Sequence, residues 1–417
     1  MRRLAAVDAQ TWWMSAKLPS DQFLLYGFAG LPADLGRALT EVRNRAEACP
    51  ELALRVRDES RLTYSAWVPR RVGDDQFVVH NLDAPSWNDC LDAVAGLADH
   101  QLDAMSATWR LHVFPSVRGI PGADTAGTVA VLQVAHVLGD GIRSSALAAW
   151  LFGRPEPVQA VPAQPFVGAT LPWRAAQAAR THRQLVADEK SGAVPPQAPS
   201  RPARRSNSRP AGARWVRTIV RPRARIPGPT VTVAVLAAVS VALGDHLREV
   251  GEDAVDLCAE VPMAKAGVRH AHNHFGNVGI GLYPELDHAD RVARIAQDLA
   301  QRRTRARHPA MTAASRAFAA TPAPLLRWGV AQFDPTLRSP VVTGNTVVSS
   351  VNRGAADLRF GAAPVVMTAG YPALSPMMGL THGVHGIGDT LAISVHAAES
   401  AVGDIDSYVE RLEQALG

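Results

Sequence analysis

The sequence contains little cysteine, and the few residues it has are badly placed for cross-links or metal binding. The three cysteines, Cys49, Cys90 and Cys258, are odd in number, far apart in the chain and set among apolar or helical neighbours. Neither a disulfide framework nor a cysteine metal cage fits that pattern. The sequence therefore predicts neither, and a reducing cytoplasm is the expected location.

Long apolar runs are also missing. The longest mainly apolar run, Val231 to Leu243, falls short of the roughly 20 residues that a membrane-spanning helix needs. The first residues begin like a secretory signal, but Asp8 and Gln10 interrupt the apolar stretch before it is long enough. We expect a protein that is not integral to a membrane, with a peripheral association left open.

Basic charge is concentrated in one segment that lacks the signatures of nucleic-acid binding. From Arg154 to Ile226 there are fourteen Lys or Arg against three Asp or Glu, a local balance of +11 within a total of +5. A basic excess confined to a Pro-rich stretch is typical of a solvated linker or of a contact with an acidic surface. No helix-turn-helix, zinc-finger or RNA-binding motif accompanies it, so we predict no nucleic-acid partner.

The chain is long enough for two packed cores. We predict a first domain over residues 1–155, a Pro- and Arg-rich, partly disordered linker over 156–213, and a second domain over 214–417. The centre of the linker, Ser191 to Gly212, has almost no apolar residue with which to form a core. Leu171 to Ala187 is interpreted as a basic helix that is either solvated or lies on an anionic membrane.

Apolar spacing predicts several regular elements. The spacing indicates helices from Leu35 to Ala46, from Val231 to Leu247 and from Ile405 to Leu416, and the last has capping-box spacing at Ser407 and Glu410. Thr128 to Val134 is a nearly continuous aliphatic run, which is typical of a strand buried on both faces. Both halves mix helices and strands, so two similar α/β layers are expected side by side.

The segment after that strand carries the candidate chemistry. It reads Ala-His-Val-Leu-Gly-Asp-Gly and places His136 and Asp140 on a strand-to-helix turn. An imidazole with a pKa near 6.5 takes a proton from a hydroxyl, amine or thiol at neutral pH, which makes the acceptor competent to attack a thioester. Asp140 is placed to accept hydrogen bonds from the turn or to pair with a distant arginine, and Gly141 permits close backbone approach or a left-handed conformation. The alternative is an ordinary hydrogen-bonded histidine beside a helix cap.

Other histidines form no convincing site. His270, His272 and His274 alternate as metal ligands on a strand would, but no carboxylate or cysteine partner lies nearby in the sequence. We interpret them as loop residues and predict no metal. His382 and His385, in a Gly-rich stretch, are interpreted as part of a loop near the cleft.

Further segments resemble one family. Val7–Trp13 is similar to its Asp-Ala opening, Ala107–Trp109 stands where it has Pro-Leu-Trp, Phe275–Asn277 resembles its Gly-Asn segment, and Val348–Gly354 stands where it has Ser-Asn-Val-Pro-Gly. With the His136 loop, these segments make the chain resemble the bacterial wax ester synthase/acyl-CoA:diacylglycerol acyltransferase (WS/DGAT) family. That family belongs to the superfamily of chloramphenicol acetyltransferase and peptide-synthetase condensation domains.

The resemblance implies a fold and a reaction. The fold would be α/β (α+β), with two chloramphenicol-acetyltransferase-like domains side by side and the HxxxDG loop at their interface. The protein would be an acyl-CoA-dependent O-acyltransferase in which His136 is the general base and Asp140 and Gly141 complete the catalytic motif. It would need no cofactor beyond acyl-CoA as co-substrate. The acceptor would be a hydroxylated small molecule or lipid, and the basic linker would contact a membrane or lipid droplet.

The resemblance also suggests substrate-binding residues. These are Trp109, Asn277, Ser349, Ser350 and Asn352. Asn277 and the backbone from 349 to 354 are candidate donors to the oxyanion that forms during acyl transfer. The alternative for Asn277 is a turn residue after a glycine.

The sequence departs from the family pattern at several positions, and the departures leave other functions open. Ala135 replaces the first histidine of the family's His-His-x-x-x-Asp-Gly motif, Ala107-Thr108 replaces Pro-Leu, and Thr232-Val233 replaces an Asn-Asp pair. One alternative is a condensation-type acyltransferase that takes its acyl group from a carrier-protein thioester. The other is a catalytically degenerate homologue that binds acyl-CoA or lipid.

Overall fold

The computed structural model describes residues 2–163 and 167–417. The helices are α1 Ala6–Ser15, α2 Leu35–Glu47, α3 Trp87–Leu97, α4 Gly141–Leu151, α5 Leu171–Lys190, α6 Val231–Glu249, α7 His288–Ala306, α8 Pro309–Ala319, α9 Ala323–Gln332, α10 Glu399–Val402 and α11 Ile405–Leu416. The strands are β1 Arg2–Arg3, β2 Gln22–Phe28, β3 Leu54–Arg57, β4 Ala66–Pro69, β5 Phe77–Val79, β6 Trp109–Val117, β7 Gly127–Val134, β8 Arg201–Pro202, β9 Arg214–Pro222, β10 Cys258–Ala264, β11 Phe275–Gly281, β12 Val341–Val342, β13 Thr346–Asn352, β14 Arg359–Phe360, β15 Ala363–Tyr371, β16 Leu380–Ile387 and β17 Thr390–Ala398.

The first six-stranded sheet has the order β14-β15-β2-β7-β6-β5. β7 lies inside it, antiparallel to both β2 and β6, and every one of its residues is buried. The aliphatic run at Thr128–Val134 therefore predicted the strand and its two buried faces correctly. One face packs against α1, α2 and α4 in the first core, and the other packs against α3 and the second half.

The second six-stranded sheet has the order β11-β10-β13-β16-β17-β9. Its outer face packs against α6, α7 and α11. By length and composition α6 could cross a membrane, but 67% of its apolar window is buried inside the fold, as in a core helix of a soluble protein. Both halves therefore combine one mixed sheet with helices, which confirms the predicted pair of α/β layers.

One strand crosses between the halves and changes the domain boundaries. β15 comes from the predicted second domain, yet it pairs antiparallel with β2 of the first sheet, with Tyr371 opposite Phe23. The boundary placed at residue 214 does not describe this arrangement, because residues 359–371 complete the first sheet. No local pattern in the sequence signals a pairing between segments so far apart in the chain.

The segment predicted to be a partly disordered linker is held to the body of the protein through polar contacts. α5 covers Leu171–Ala187 as expected and packs against α8. Beyond it, the Pro196 carbonyl accepts a hydrogen bond from Arg302, and the Asn207 side chain is fully buried and donates to the carbonyls of Gly344 and Met377. These hydrogen bonds and a small apolar cluster of Leu185, Val194 and Ala310 attach the segment. Residues 164–166 lie outside the described residues.

The helix ends follow local capping rules, with one correction. Asp34 caps α2 through the Arg37 N–H at 3.0 Å, and Thr230 caps α6. α11 is capped by Asp404, which accepts the N–H groups of Asp406 and Ser407 at 3.0 and 3.1 Å. The predicted capping box starting at Ser407 is wrong, because the helix begins at Ile405, three residues earlier than that box requires.

Candidate active site

His136 opens the turn that follows the buried strand β7. β7 ends at Val134, and His136–Leu138 form one 3₁₀ turn before α4 begins at Gly141. The imidazole stacks on Phe275 of β11, with ring centroids 5.7 Å apart and an interplanar angle of 23°. His136 therefore lies where the two halves of the molecule meet.

Burial sets the protonation state of His136. Burial lowers its pKa below the ordinary histidine value of 6.5 and outweighs the opposing effects of its own carbonyl, Asn273 and Asp140. Nδ1 is enclosed and makes no well-aligned hydrogen bond within the described residues, while part of the residue remains open to solvent. The imidazole is therefore neutral near pH 7, which is the form that accepts a proton.

A buried asparagine and aspartate hold the backbone of His136 in place. Asn273 Nδ2 donates to the His136 carbonyl at 2.9 Å and to Asp8 Oδ1 at 3.1 Å. The Asp8 carboxylate also accepts the backbone N–H groups of His272 and Asn273, at 2.9 and 2.8 Å. Asp8 lies in the segment that resembles the family's opening, but no local pattern pointed to Asn273.

Asp140 anchors the loop to the second half. Its carboxylate forms a two-pronged ion pair with Arg269, at 2.8 and 3.2 Å, and accepts the backbone N–H of His274 at 2.8 Å. It also caps α4 through the Arg143 N–H at 3.1 Å. Burial alone would raise the pKa of Asp140, but these hydrogen bonds outweigh it and hold the pKa below its usual value. Asp140 is thus a charged positioning group, and Arg269 is the distant arginine that the sequence could not name.

Gly141 allows α4 to approach β13. A Cβ atom at this position would lie 3.2 Å from Val351 Cγ2. Gly141 is not among the glycines with positive φ. Of the two predicted roles, close approach is the one that the geometry supports.

A second buried ion pair also holds the loop in place. Arg143 of α4 pairs with Glu51, and its Nε donates to the Leu138 carbonyl at 3.2 Å. Arg2 reaches the same carboxylate at 3.3 Å. The turn that carries His136 is therefore fixed by charges from several distant parts of the chain.

His272 connects this ion pair to the turn. Its Nδ1 lies 2.8 Å from the Leu138 carbonyl, which only accepts, so Nδ1 carries the proton and Nε2 accepts from Arg2 at 3.0 Å. Burial, with the nearby charge of Arg143, places the pKa of His272 well below its usual range. A stack on Trp67 at 4.8 Å completes the surroundings of this neutral imidazole.

A comparison with known protein families finds a match in the second half of the chain. Residues 272–417 match the model of the WS/DGAT C-terminal domain, a segment that includes Asn273 and Phe275 beside His136. Over that segment the chain is similar to WS/DGAT proteins. No curated protein matches its sequence significantly.

Several solved structures share the fold of the whole chain. The wax ester synthase/diacylglycerol acyltransferase from Marinobacter aquaeolei VT8 aligns over 99% of this chain and 98% of its own, with a TM-score of 0.64 and 18% identity. The first condensation domain of the CDA synthetase gives a TM-score of 0.61 at 14% identity, covering 100% and 95% of the two chains. A mutant starter condensation domain of rhizomide synthetase, in complex with C8-CoA and Leu-SNAC, gives 0.59 at 13%, covering 100% and 92%. These matches confirm the two-domain acyltransferase fold.

Within this WS/DGAT-like fold, Trp109 is a core residue. It is fully buried in the first core, and its Nε1 donates to the Leu52 carbonyl at 2.8 Å. Phe77 packs edge-on against the indole at 5.7 Å. The predicted substrate-binding role of Trp109 finds no support, because the whole side chain is already used in packing.

The alternation of β13 separates the predicted residues Ser349, Ser350 and Asn352. Val351 faces Gly141 across the boundary between the halves, so Ser349 points to the same side. Ser350 points to the opposite side and accepts a hydrogen bond from Thr232 at 3.2 Å. Asn352 shares that second side and bonds the Gly354 N–H at 3.1 Å. Ser349 alone of the three faces the catalytic loop.

Asn277 lies on a strand rather than in a turn. It is an exposed residue of β11 and donates to Glu260 on the neighbouring strand β10. By strand alternation it shares a face with Phe275, the residue that stacks on His136. Asn277 therefore borders the candidate site, because it lies two residues along β11 from Phe275.

The remaining histidines do not form a metal site. No group of three potential ligands lies together among the described residues. His382 and His385 belong to the inner strand β16 and not to a loop, and His382 bonds Thr346 and Tyr408, both at 2.9 Å.

Cavities lie beside α1 and between the halves, and no residue from 136 to 141 lines either of them. One of about 670 Å³ opens beside α1, which contacts the His136–Leu138 turn, and its wall includes Trp12, Trp13 and Trp328. The other, of about 180 Å³, lies between the halves, and Gln101 lines both. Trp12 and Trp13 are partly buried and also pack against the first core.

Proposed function

We propose that the protein is an O-acyltransferase that moves an acyl group from acyl-CoA to a hydroxyl acceptor. The observation that carries this proposal is His136: a neutral imidazole with a depressed pKa, on a fixed turn between the two halves. That is the arrangement a general base needs to act on a substrate lying between two domains.

The proposed reaction is a direct transfer. The imidazole of His136 takes the proton of the acceptor hydroxyl, and the oxygen attacks the thioester carbonyl to form a C–O bond. The tetrahedral oxyanion collapses, the C–S bond breaks, and the imidazolium returns its proton to the leaving thiolate. Nε2 is the nitrogen assigned to this step, because Nδ1 is enclosed. Ser349 and Asn277 border the space where the oxyanion would form.

The missing first histidine is compatible with this reaction. Ala135 is 5% exposed, packs in the first core and donates its N–H to the Thr108 carbonyl at 2.9 Å. An alanine therefore fills that position without disturbing the turn. The larger cavity, bordered by Trp12, Trp13 and Trp328, supplies apolar wall for an acyl chain.

The test is thiol release from acyl-CoAs of different chain length, in the presence of a series of alcohols. We expect turnover by the wild type and a loss of about 10²–10⁴-fold in His136→Ala, which is the range that general bases contribute. The matched control is His182→Ala on the exposed face of α5, where no loss is expected. Equal release by wild type and His136→Ala would overturn the proposed role.

The pH profile gives an independent check. Because burial lowers the pKa of His136, kcat/KM should rise from acidic pH and reach its plateau with a midpoint below 6.5. A midpoint above 6.5 would mean that the imidazole is stabilised in its charged form, against the proposed mechanism.

A second candidate is transfer from a carrier-protein thioester. The structural similarity to condensation domains supports it, and the basic segment from Arg154 to Ile226 would suit an acidic carrier. Loading the same acyl group on CoA and on an acidic carrier protein separates the two donors, since only the true donor should show saturation. A catalytically inactive acyl-CoA or lipid binder would show ligand-induced thermal stabilisation but no thiol release.

We further propose a peripheral contact with a membrane or lipid droplet, in the cytoplasm. α5 and α9 expose Trp173 and Trp328, which are 64% and 62% accessible, and Arg174 and Arg180 lie on α5 near the first of them. Aromatic and basic side chains together suit an anionic lipid surface. Vesicle flotation with anionic and neutral lipids tests this, and Trp173→Ala should weaken binding to the anionic vesicles.

A further inference from the structure

The smaller cavity lies between the two halves of the molecule and is open to solvent. It has a volume of about 180 Å³, and its wall combines β2, the end of α3, the segment after β15 and His396 of β17. Pro19 and Arg209 in this wall are exposed, so the cavity reaches the protein surface. At about 30 Å³ for each water-sized group, it has room for a ligand of about six non-hydrogen atoms.

Asp21 contributes a carboxylate to this wall. The residue is 6% exposed, and Oδ2 accepts both of its hydrogen bonds, from the Leu102 N–H and from Gln133 Nε2, each at 2.7 Å. Oδ1 accepts no hydrogen bond within the described part of the chain. One oxygen of a nearly buried carboxylate is therefore left for a ligand.

A directed chain of hydrogen bonds holds Asp21 in this orientation. Gln133 donates to Asp21 through Nε2, so its Oε1 accepts the Nε2 proton of His112 at 3.0 Å. His112 Nδ1 must then accept from His80 Nε2, at 2.9 Å. Burial lowers the pKa of His112 to about 4 and keeps this imidazole neutral. The chain ends on Oδ2 and leaves Oδ1 unoccupied.

His396 adds a second acceptor to the same wall. Its Nδ1 lies 3.0 Å from the Pro372 carbonyl, which only accepts, so Nδ1 carries the proton and Nε2 carries the lone pair. Nε2 is buried and has no hydrogen-bond partner among the described residues. Burial lowers the pKa of His396 to about 4, so the imidazole is neutral at pH 7. A buried acceptor without a partner is costly, and the group it lacks is a donor.

The charges around the cavity select the kind of donor. Lys17, Arg209 and Arg214 line it together with Asp21. Arg214 is paired with Asp99 at 2.7 Å, and Lys17 donates to carbonyl groups at the end of α9. With three cations and one carboxylate, the wall repels a further positive charge. A hydroxyl group suits this wall better than an ammonium group, because it donates without carrying charge.

We propose that this cavity binds a small uncharged polyol of about the size of glycerol, with hydroxyl groups donating to Asp21 Oδ1 and His396 Nε2. One ligand of that size has enough donors for both acceptors. The site goes beyond the proposed acyl transfer, because no residue from 136 to 141 lines the cavity and binding needs no turnover.

Three molecules with the same three-carbon skeleton test the site by binding alone. Glycerol carries three hydroxyl groups, 2-amino-1,3-propanediol replaces the central one by an ammonium group, and 1-propanol keeps a single hydroxyl. Ligand-detected NMR titrations of the full chain at pH 7 give the dissociation constants. We expect glycerol to bind about tenfold more tightly than either of the others, since one additional hydrogen bond to a carboxylate is enough for that difference.

Two variants and one control locate the effect. Asp21→Asn replaces an acceptor by an NH₂ donor, so the preference for glycerol over 1-propanol should fall to about twofold or less. His396→Phe keeps a ring but removes Nε2, and it should weaken glycerol binding. Asp83→Asn changes an exposed carboxylate outside the wall and should have no effect. If Asp21→Asn fails to fold, Ala373→Leu, which fills the cavity from its wall, takes its place and should abolish glycerol binding.

Three results would overturn the site. Equal affinity for glycerol and 1-propanol would mean that only water occupies the cavity, and tighter binding of the amine would mean that the wall favours a cation. An unchanged preference in Asp21→Asn would place the polyol elsewhere. A preference for glycerol that persists in His136→Ala supports the site whether or not thiol is released, so failure of the proposed catalysis and failure of this site are distinguishable.

Discussion

The two least exposed arginines of the described residues, Arg143 and Arg353, have opposite surroundings. Arg143 is 4% exposed and forms an ion pair with Glu51, and burial lowers its pKa while that carboxylate opposes the change. Arg353 is 5% exposed and has only neutral acceptors. The first charge holds the catalytic turn in place, whereas the second connects the end of β13 to β15 through neutral oxygens.

The largest expected effect comes from removing the partner of the paired arginine. Glu51→Gln leaves Arg143 and Arg2 without their shared carboxylate in a buried setting. We expect a loss of about 3–5 kcal/mol in the free energy of unfolding, the usual result of breaking a buried pair. Urea denaturation measures it. Glu59→Gln, which removes an exposed carboxylate, should cost less than about 1 kcal/mol.

An intermediate effect should appear in the pH dependence of stability. Burial raises the pKa of Asp8 from 3.8 to about 6, and the hydrogen bonds from His272 and Asn273 only partly oppose it. The folded state therefore holds a proton that the unfolded state releases, and this contribution to stability is lost as the pH rises from about 4 to about 6.

The Asp8→Asn variant isolates that contribution. The unfolding free energy of the wild type relative to that of the variant should fall by up to about 3 kcal/mol between pH 4 and pH 7, because the pKa of Asp8 rises from 3.8 to about 6 on folding. Asp83→Asn, at an exposed position, should show no such change. A constant difference for Asp8→Asn would show that the carboxylate behind Asn273 keeps an ordinary pKa.

The smallest expected effect is on the unpaired arginine. Arg353→Met loses hydrogen bonds to neutral oxygens but removes an uncompensated buried charge, so we expect a change of about 1 kcal/mol or less. The same urea measurement applies. A loss as large as that of Glu51→Gln would make Arg353 a structural counterpart of Arg143 and end the contrast between the two regions.

Sequence patterns predicted the parts of this molecule that depend on neighbours in the chain. The aliphatic run of β7, the helical spacing of α2 and α6, and the turn that carries His136 are local features, and each is present. The role of Asp140 was also foreseen in kind, since a carboxylate on such a turn needs a cation.

Contacts between distant segments account for the rest. Arg269 and Asn273 reach the turn across more than a hundred residues, and no periodicity marks either of them. Trp109 resembled a substrate-binding residue because it follows a family-like segment, but only the three-dimensional core shows that its indole is enclosed. The pairing of β15 with β2 was not predicted for the same reason, because the two strands are far apart in the sequence.

The pairing of β15 with β2 gives the chain an order of assembly. During synthesis, the β2 edge that later receives Tyr371 and Thr368 has no partner until most of the second half has been made. The first half released alone would expose that edge, and exposed strand edges recruit other chains. A fragment ending at residue 155 should therefore aggregate, and supplying the second half in trans should rescue it.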